Sequence, residues 1–365
     1  MNKISKIAIA GSAVAILCFG AMFSGLVPNP LQPPRRGPMQ PYMELDAAQR
    51  QQVLGQVIDH LNGYYVFPDK AKAMAAELRA RDERGEYNSI TSAEDFAHTL
   101  TADIQRISGD RHLDVAYSAA ALPPKAEFEA AANTSNPESL VAERKRNFGV
   151  TRAERLPLNI GYVDLRAFSN PEGAAGKFAA AMSLLADTDA LIIDLRMNQG
   201  GEPATVALLA SYLFEQKTRL NDIYNRGEDK TTQFWTETPI GPNYGSRKKV
   251  YLLTSNDTFS AAEDFAYALK NLKRATLVGE TTGGGAHPGS EHWLTEHFAM
   301  IVPSGRTISP ITNTDWEGVG VQPDVSIDAD QALDKAQSLY LTELLATEQD
   351  ETMRSRINDR LAALN

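Results

Sequence analysis

Ser260 is the residue whose type and setting could do chemistry. It follows a short apolar run of strand type, residues 250–254, and a polar turn, and it opens a stretch with helical spacing: Ala262, Phe265, Ala266 and Leu269. Backbone N–H groups in the first turn of a helix have no intrahelical partner, and the helix dipole is positive there. Such a place can hold a developing oxyanion, so a serine there is a candidate nucleophile. The same residues also read as a helix cap, because Glu263 lies three positions on and Ser–x–x–Glu is a capping box. A second stretch, residues 191–201, repeats the design: a buried-type strand, Leu191-Ile192-Ile193-Asp194, then a polar turn ending in Gly200-Gly201 before a helix over about 203–214. Two such turns on neighbouring parallel strands can face each other, one bringing a hydroxyl and the other a backbone N–H.

The elements that must position these turns alternate. From residue 158 the chain reads strand (159–165), helix (171–186), strand (190–195), helix (203–214) and strand (220–225), then a polar loop or hairpin over 226–246. A strand (250–254), a helix (260–272) and a strand (276–278) follow. Alternation of this kind predicts an α/β core with a largely parallel sheet. Residues 297–302 and 306–308, about Pro303-Ser304-Gly305, read as a β-hairpin. Ahead of the core, residues 45–108 carry helical periodicity (Val53, Val57, Ile58 and Leu61, then Phe96, Leu100, Ile104 and Ile107) and end in Gly109-Asp110-Arg111-His112-Leu113, a turn into a short strand. The expected division is a signal peptide or membrane anchor (1–27), a proline-rich linker (28–42), a helical domain carrying His112 (43–118), a connector (119–156), the α/β core (157–328) and a C-terminal helical segment (329–365).

At 365 residues the chain can bury a large core, and 43% hydrophobic with 22% charged residues is ordinary for a globular protein. The net charge of −10 excludes a basic footprint for nucleic acid. Lys3 and Lys6 precede an uncharged apolar run from 7 to 27, which reads as a cleaved export signal or an uncleaved anchor and places the body outside the cytoplasm, periplasmic or extracellular. Cys18 is the only cysteine, so the body has no disulfide and no thiolate metal site. His292 and His297 with Glu291 and Glu296 have no metal-site spacing, and no metal or other cofactor is expected.

Five segments in order resemble the tail-specific, or C-terminal processing, serine proteases. They are Gly109 to Leu113, Asp194 to Gly201, Thr254 to Glu263, Gly279 to Gly284, and Trp316 to Asp324. The branch resembled is that of the tricorn core and the interphotoreceptor retinoid-binding protein repeats. The resemblance implies a β-β-α spiral core, as in the crotonase and Clp-protease folds, behind a small helical domain. Family members often insert a PDZ domain there; the connector here is too short for one. The resemblance also implies Ser260 as nucleophile, with the N–H of Ala261 and that of Gly200 or Gly201 as oxyanion hole. The lysine that many members use as base is replaced by Gly284-Gly285-Ala286. The tricorn branch uses a histidine, matched by His112, oriented by an acid, matched by Glu317, directly or through an intermediary. His287, in the glycine-rich loop with Gly284 and Gly285, is a rival base, and that loop could line the substrate cleft. The implied partner is a peptide or protein substrate, cut through an acyl-enzyme. The alternative on the same architecture is a non-catalytic carrier of hydrophobic ligands.

Overall fold

The computed structural model describes residues 40–132 and 137–364. The expected signal or anchor, and all but the end of the proline-rich linker, lie outside these residues. Among the described residues no helix is long and apolar enough to cross a membrane.

Three helices come first: α1 (Ala47–Tyr64), α2 (Pro68–Glu83) and α3 (Ala93–Ser108). Their limits follow from local chemistry. Asp46 and Gln49 form a reciprocal capping box at the start of α1, Pro68 occupies the first turn of α2, and Ser92 caps α3. Gly109, at φ 73°, closes α3 in the left-handed conformation that glycine adopts without strain. Leu61, Met74, Leu78, Phe96 and Leu100 are wholly buried between the three helices.

Strand β1 (Asp114–Tyr117) follows, then α4 (Lys125–Ala132) and α5 (Pro137–Lys145). The alternating part runs β2 (Val150–Leu156), β3 (Ile160–Leu165), α6 (Pro171–Leu185), β4 (Ala190–Asp194), α7 (Pro203–Ala210), β5 (Arg219–Asn225), β6 (Lys230–Trp235), β7 (Lys249–Thr254), α8 (Ala261–Asn271) and β8 (Thr276–Gly279). The chain continues through β9 (Gly289–Thr295), β10 (Phe298–Pro303), β11 (Gly305–Ile308) and β12 (Val325–Ser326), and ends in α9 (Ala332–Thr347) and α10 (Glu351–Ala363).

The main sheet has the order β12-β8-β7-β4-β3-β2, parallel throughout except for β2, which pairs antiparallel with β3 at the edge. All residues of β3 and β4 are buried, as both-face coverage requires. Side chains alternate between two cores. Val163, Leu191, Ile193 and Leu252 pack against α6, α7 and α8, while Tyr162, Ile192, Tyr251 and Leu253 pack beneath α9. A second sheet, β1-β10-β9, lays Val115, Tyr117, Leu294, Phe298, Met300 and Val302 on the N-terminal helices. One hydrophobic core therefore joins chain from both sides of the alternating region.

The hairpin expected about Pro303-Ser304-Gly305 does not form. β10 pairs with β9 and β1, whereas β11 pairs with β5 in a third sheet. The N–H groups of Ser304 and Gly305 both donate to Pro288 O, at 3.1 and 2.9 Å, so the turn hands the chain from one sheet to another. The partner of β10 is β9, a strand not foreseen because Ser290, Glu291 and His292 give it no apolar alternation.

Asp264 is buried in α8, where Asn221 Nδ2 donates to its Oδ1 at 2.5 Å. Burial pushes its carboxyl up to about 6. The folded state then holds a proton that the unfolded chain releases near pH 4, so stability falls as pH rises from about 4 to 6 and stays lower above. An Asp264→Asn variant keeps an acceptor for Asn221. Urea denaturation is expected to show it more stable than wild type at pH 8, by on the order of 2 kcal/mol, with little difference at pH 4.

Candidate active site

β4 and β7 are adjacent and parallel, so the turns that follow them face each other. They are stitched together by main-chain and hydroxyl bonds. Phe259 N–H donates to Asn198 O at 3.0 Å, Thr258 Oγ1 to Leu195 O at 2.8 Å, and Ser255 Oγ to Arg196 O. Asn198 is fully buried: its Nδ2 donates to Leu165 O at 3.0 Å and its Oδ1 accepts from Gly200 N–H at 2.9 Å.

Ser260 sits at the tip of α8 with φ 54° and ψ −121°. A non-glycine residue in that region is strained, and such strain persists only where the surroundings impose it. Those surroundings are close. A Cβ added to Gly200 (φ 106°) would stand 2.8 Å from both Ser260 Cβ and Ala261 N. Gly201 (φ 135°) runs beside Phe168, where an added Cβ would come within 2.1 Å of Phe168 O. Gly200 N–H already donates to Asn198 Oδ1, and Ala261 N, the first amide of α8, lies beside Gly200.

Glu263 binds this turn to the glycine-rich loop. Its wholly buried carboxylate accepts Ser260 N–H (2.8 Å) and Gly285 N–H (2.9 Å) on Oε2, and Gly284 N–H (2.6 Å) and Thr282 Oγ1–H (2.5 Å) on Oε1. Burial pushes this carboxyl up to about 7, opposed by those four donors. The loop is pinned from its other side by Gly284 O and Gly285 O, which accept Gly318 N–H at 2.9 Å and Trp316 Nε1–H at 2.8 Å. Glycine is required at 285, where a Cβ would fall 2.2 Å from Phe259 and 2.6 Å from His112 Cε1.

His112 thus lies against the glycine loop and the ring of Phe259, centroids 4.6 Å apart. Both of its ring nitrogens are buried without a hydrogen-bond partner, so it bonds neither Ser260 nor Glu317 in this structure. Burial pulls the imidazole down to about 4, which keeps it neutral at physiological pH. Asp110 is the carboxylate facing it: Oδ1 accepts His112 N–H at 3.0 Å and lies 3.9 Å from Nδ1. The other oxygen of Asp110 contacts Tyr65 Oη at 3.1 Å and His287 Nδ1 at 2.7 Å. Burial raises the Asp110 carboxyl, but the bond to His287 and the two imidazoles outweigh it and hold the group below its ordinary value. Glu317 approaches the same nitrogen of His287. Its Oε2 is 3.4 Å from His287 Nδ1 and accepts Ala286 N–H at 2.5 Å, while Oε1 is buried without a partner. Burial, then the charge of Asp110, pushes Glu317 up to about 9.

The structure therefore gathers Ser260, Ala261, Gly200, Gly201, His112, Gly284, Gly285, His287 and Glu317 around one place. It adds Asp110, Asn198, Phe259 and Glu263, to which the sequence alone assigns no catalytic part. The signal for Asp110 is its place beside His112 in a Gly-Asp-Arg-His turn, and that for Glu263 is the capping box. The three ligand-type groups Asp110, His287 and Glu317 converge to within 4.8 Å, a cluster no spacing rule could reveal.

Comparison with known proteins shows the family to which this fold belongs. Residues 159–327 match Peptidase family S41, and residues 43–147 match the N-terminal domain of Peptidase_S41 in eukaryotic IRBP. Carboxyl-terminal-processing peptidase 1, chloroplastic, of Arabidopsis thaliana is 28% identical over 186 residues, 50% of this chain and 36% of that protein. The carboxy-terminal processing protease CtpB of Bacillus subtilis is 30% identical over 160 residues, 39% of this chain and 31% of that protein. The chain thus spans about a third of the length of these relatives. Among solved structures, a lipoprotein from Streptococcus agalactiae shares the fold with a TM-score of 0.53 at 14% identity, covering 81% of this chain and 98% of its own. With both the helical part and the α/β core matched in order, the chain belongs to peptidase family S41.

Proposed function

We propose that this protein is an exported serine peptidase that cuts peptide or protein chains through an acyl-enzyme on Ser260. The observation that carries the reading is the strained Ser260 at a helix tip, with Gly200 against its Cβ and the Ala261 N–H beside it. The hydroxyl attacks the scissile carbonyl, and the developing oxyanion takes the N–H groups of Ala261 and Gly201; each such donor lowers the barrier by roughly 3 kcal/mol. His112, neutral in its buried setting, accepts the hydroxyl proton and returns it to the leaving amine. Asp110 faces the imidazole and stabilises its charged form. Glu317 acts one step further out, through His287 and Asp110, which supplies the intermediary that a Glu317–His112 pairing needs. The names of the relatives point to protein C-termini as the substrate class, and the positive, then apolar, N-terminus supports export by a cleaved signal or an anchor. The boundaries at 43, 118, 157 and 328 are proposed as the domain limits.

A fluorophosphonate probe tests the nucleophile. Wild type is expected to carry one adduct, on Ser260, and to hydrolyse a fluorogenic peptide. Ser260→Ala is expected to lose both, and His112→Ala to lower hydrolysis by about a thousandfold. An intact fold without an adduct would turn the reading to the carrier of hydrophobic ligands.

Glu263→Gln tests the joint between serine and glycine loop. An amide cannot accept from four donors, so at least one of them is left buried and unpaired. The variant is expected to lose about 1–3 kcal/mol of stability in urea denaturation, and the Gly284 and Gly285 amides are expected to exchange faster with deuterium. Unchanged exchange would show that the loop is held by other contacts.

A further inference from the structure

We propose that Asp110, His287 and Glu317 form a binding site for a first-row divalent cation of the zinc class. Three widely separated segments bring their side chains to this point: the turn after α3, the glycine-rich loop, and the turn after Trp316. The oxygen of Asp110 and the oxygen of Glu317 lie 2.7 and 3.4 Å from His287 Nδ1, and the three ligand atoms sit within 4.8 Å of one another. Tetrahedral zinc with bonds of about 2.0–2.1 Å sets its ligands roughly 3.3 Å apart. The two contacts to His287 Nδ1 bracket that value, and the third separation stays within 4.8 Å.

Further observations point to a ligand rather than to a closed hydrogen-bond network. Glu317 Oε1 is buried and has no partner, and a buried carboxylate oxygen left unpaired is costly. The ligands are also supported from outside. Tyr65 Oη and His112 N–H both bond Asp110, and Ala286 N–H bonds Glu317, as the outer shell of a metal site requires. One imidazole with two carboxylates suits zinc, cobalt or manganese, whereas magnesium and calcium favour oxygen alone. The ion replaces the proton between His287 and Asp110, and water fills its fourth position. Binding at this place does not require Ser260 to be a nucleophile.

The full-length chain, stripped with chelator and free of any affinity tag, is titrated with Co²⁺ by visible absorption and with Zn²⁺ by calorimetry. One ion per chain is expected, bound equally by Ser260→Ala, and at least about tenfold more weakly by Glu317→Gln and His287→Gln. The absence of saturable binding, or undiminished binding in both ligand variants with native near-ultraviolet dichroism, would overturn the proposal. X-ray absorption at the zinc edge of the wild-type protein needs no variant: one imidazole among oxygen ligands is expected, and two or more would place the ion elsewhere.

Discussion

A single buried carboxylate, that of Glu263, holds the site together. It touches both the serine turn and the glycine-rich loop, and its four donors converge from residues 260, 282, 284 and 285. Its burial is expensive, and only that set of donors makes the ionised form tolerable. The arrangement explains why Gly284 and Gly285 present N–H groups rather than side chains. It also explains why Ser260 keeps a strained backbone: its N–H is held by Glu263 while Gly200 closes on its Cβ.

From that joint the rest of the site is placed by packing. Phe259 fills the space under the loop, touching Arg111 at 5.4 Å as well as the His112 ring. Arg111 in turn donates to Gly283 O. The turn after α3 is thereby clamped to the loop by its arginine and, through Asp110 and His287, by its carboxylate. The sheet β1-β10-β9 makes this clamp firm, since its inner face is part of the same core as α1, α2 and α3. Helical part and α/β core are joined by apolar burial, and the polar contacts of the site register one against the other.

Local patterns in the chain show most of the fold. Caps at Asp46 and Ser92 start α1 and α3, Pro68 starts α2, and uninterrupted apolar runs mark β3, β4 and β7, so the two facing turns and Ser260 could be found from residues alone. What escaped has a common cause. β9 has no apolar alternation, since His292 stacks on Tyr64 and only Leu294 enters the core, and the false hairpin at 303–305 followed from ignoring an acceptor, Pro288 O, fifteen residues upstream. The pairing of Asp110 with His287 joins residues 177 apart. Glu317, matched as an acid that orients His112, stands instead against His287. Contacts of that range depend on how two cores dock, which no periodicity encodes.

The proposed base and the proposed oxyanion donors have different origins. Ala261 and Gly201 belong to turns of adjacent parallel strands, whose spacing the ladder between β4 and β7 sets directly. His112 arrives on a turn from another core, and both its ring nitrogens lack partners. An imidazole buried in that state is weakly basic because its charged form is desolvated, with Asp110 offsetting only part of the cost. In the mechanism proposed, the Ser260 hydroxyl proton supplies the missing partner, and the charge that forms on His112 meets Asp110 in a medium of low dielectric, where a nearby carboxylate counts for far more than in water. The same burial that weakens the free base therefore strengthens the ion pair made on proton transfer, which is where stabilisation contributes to rate.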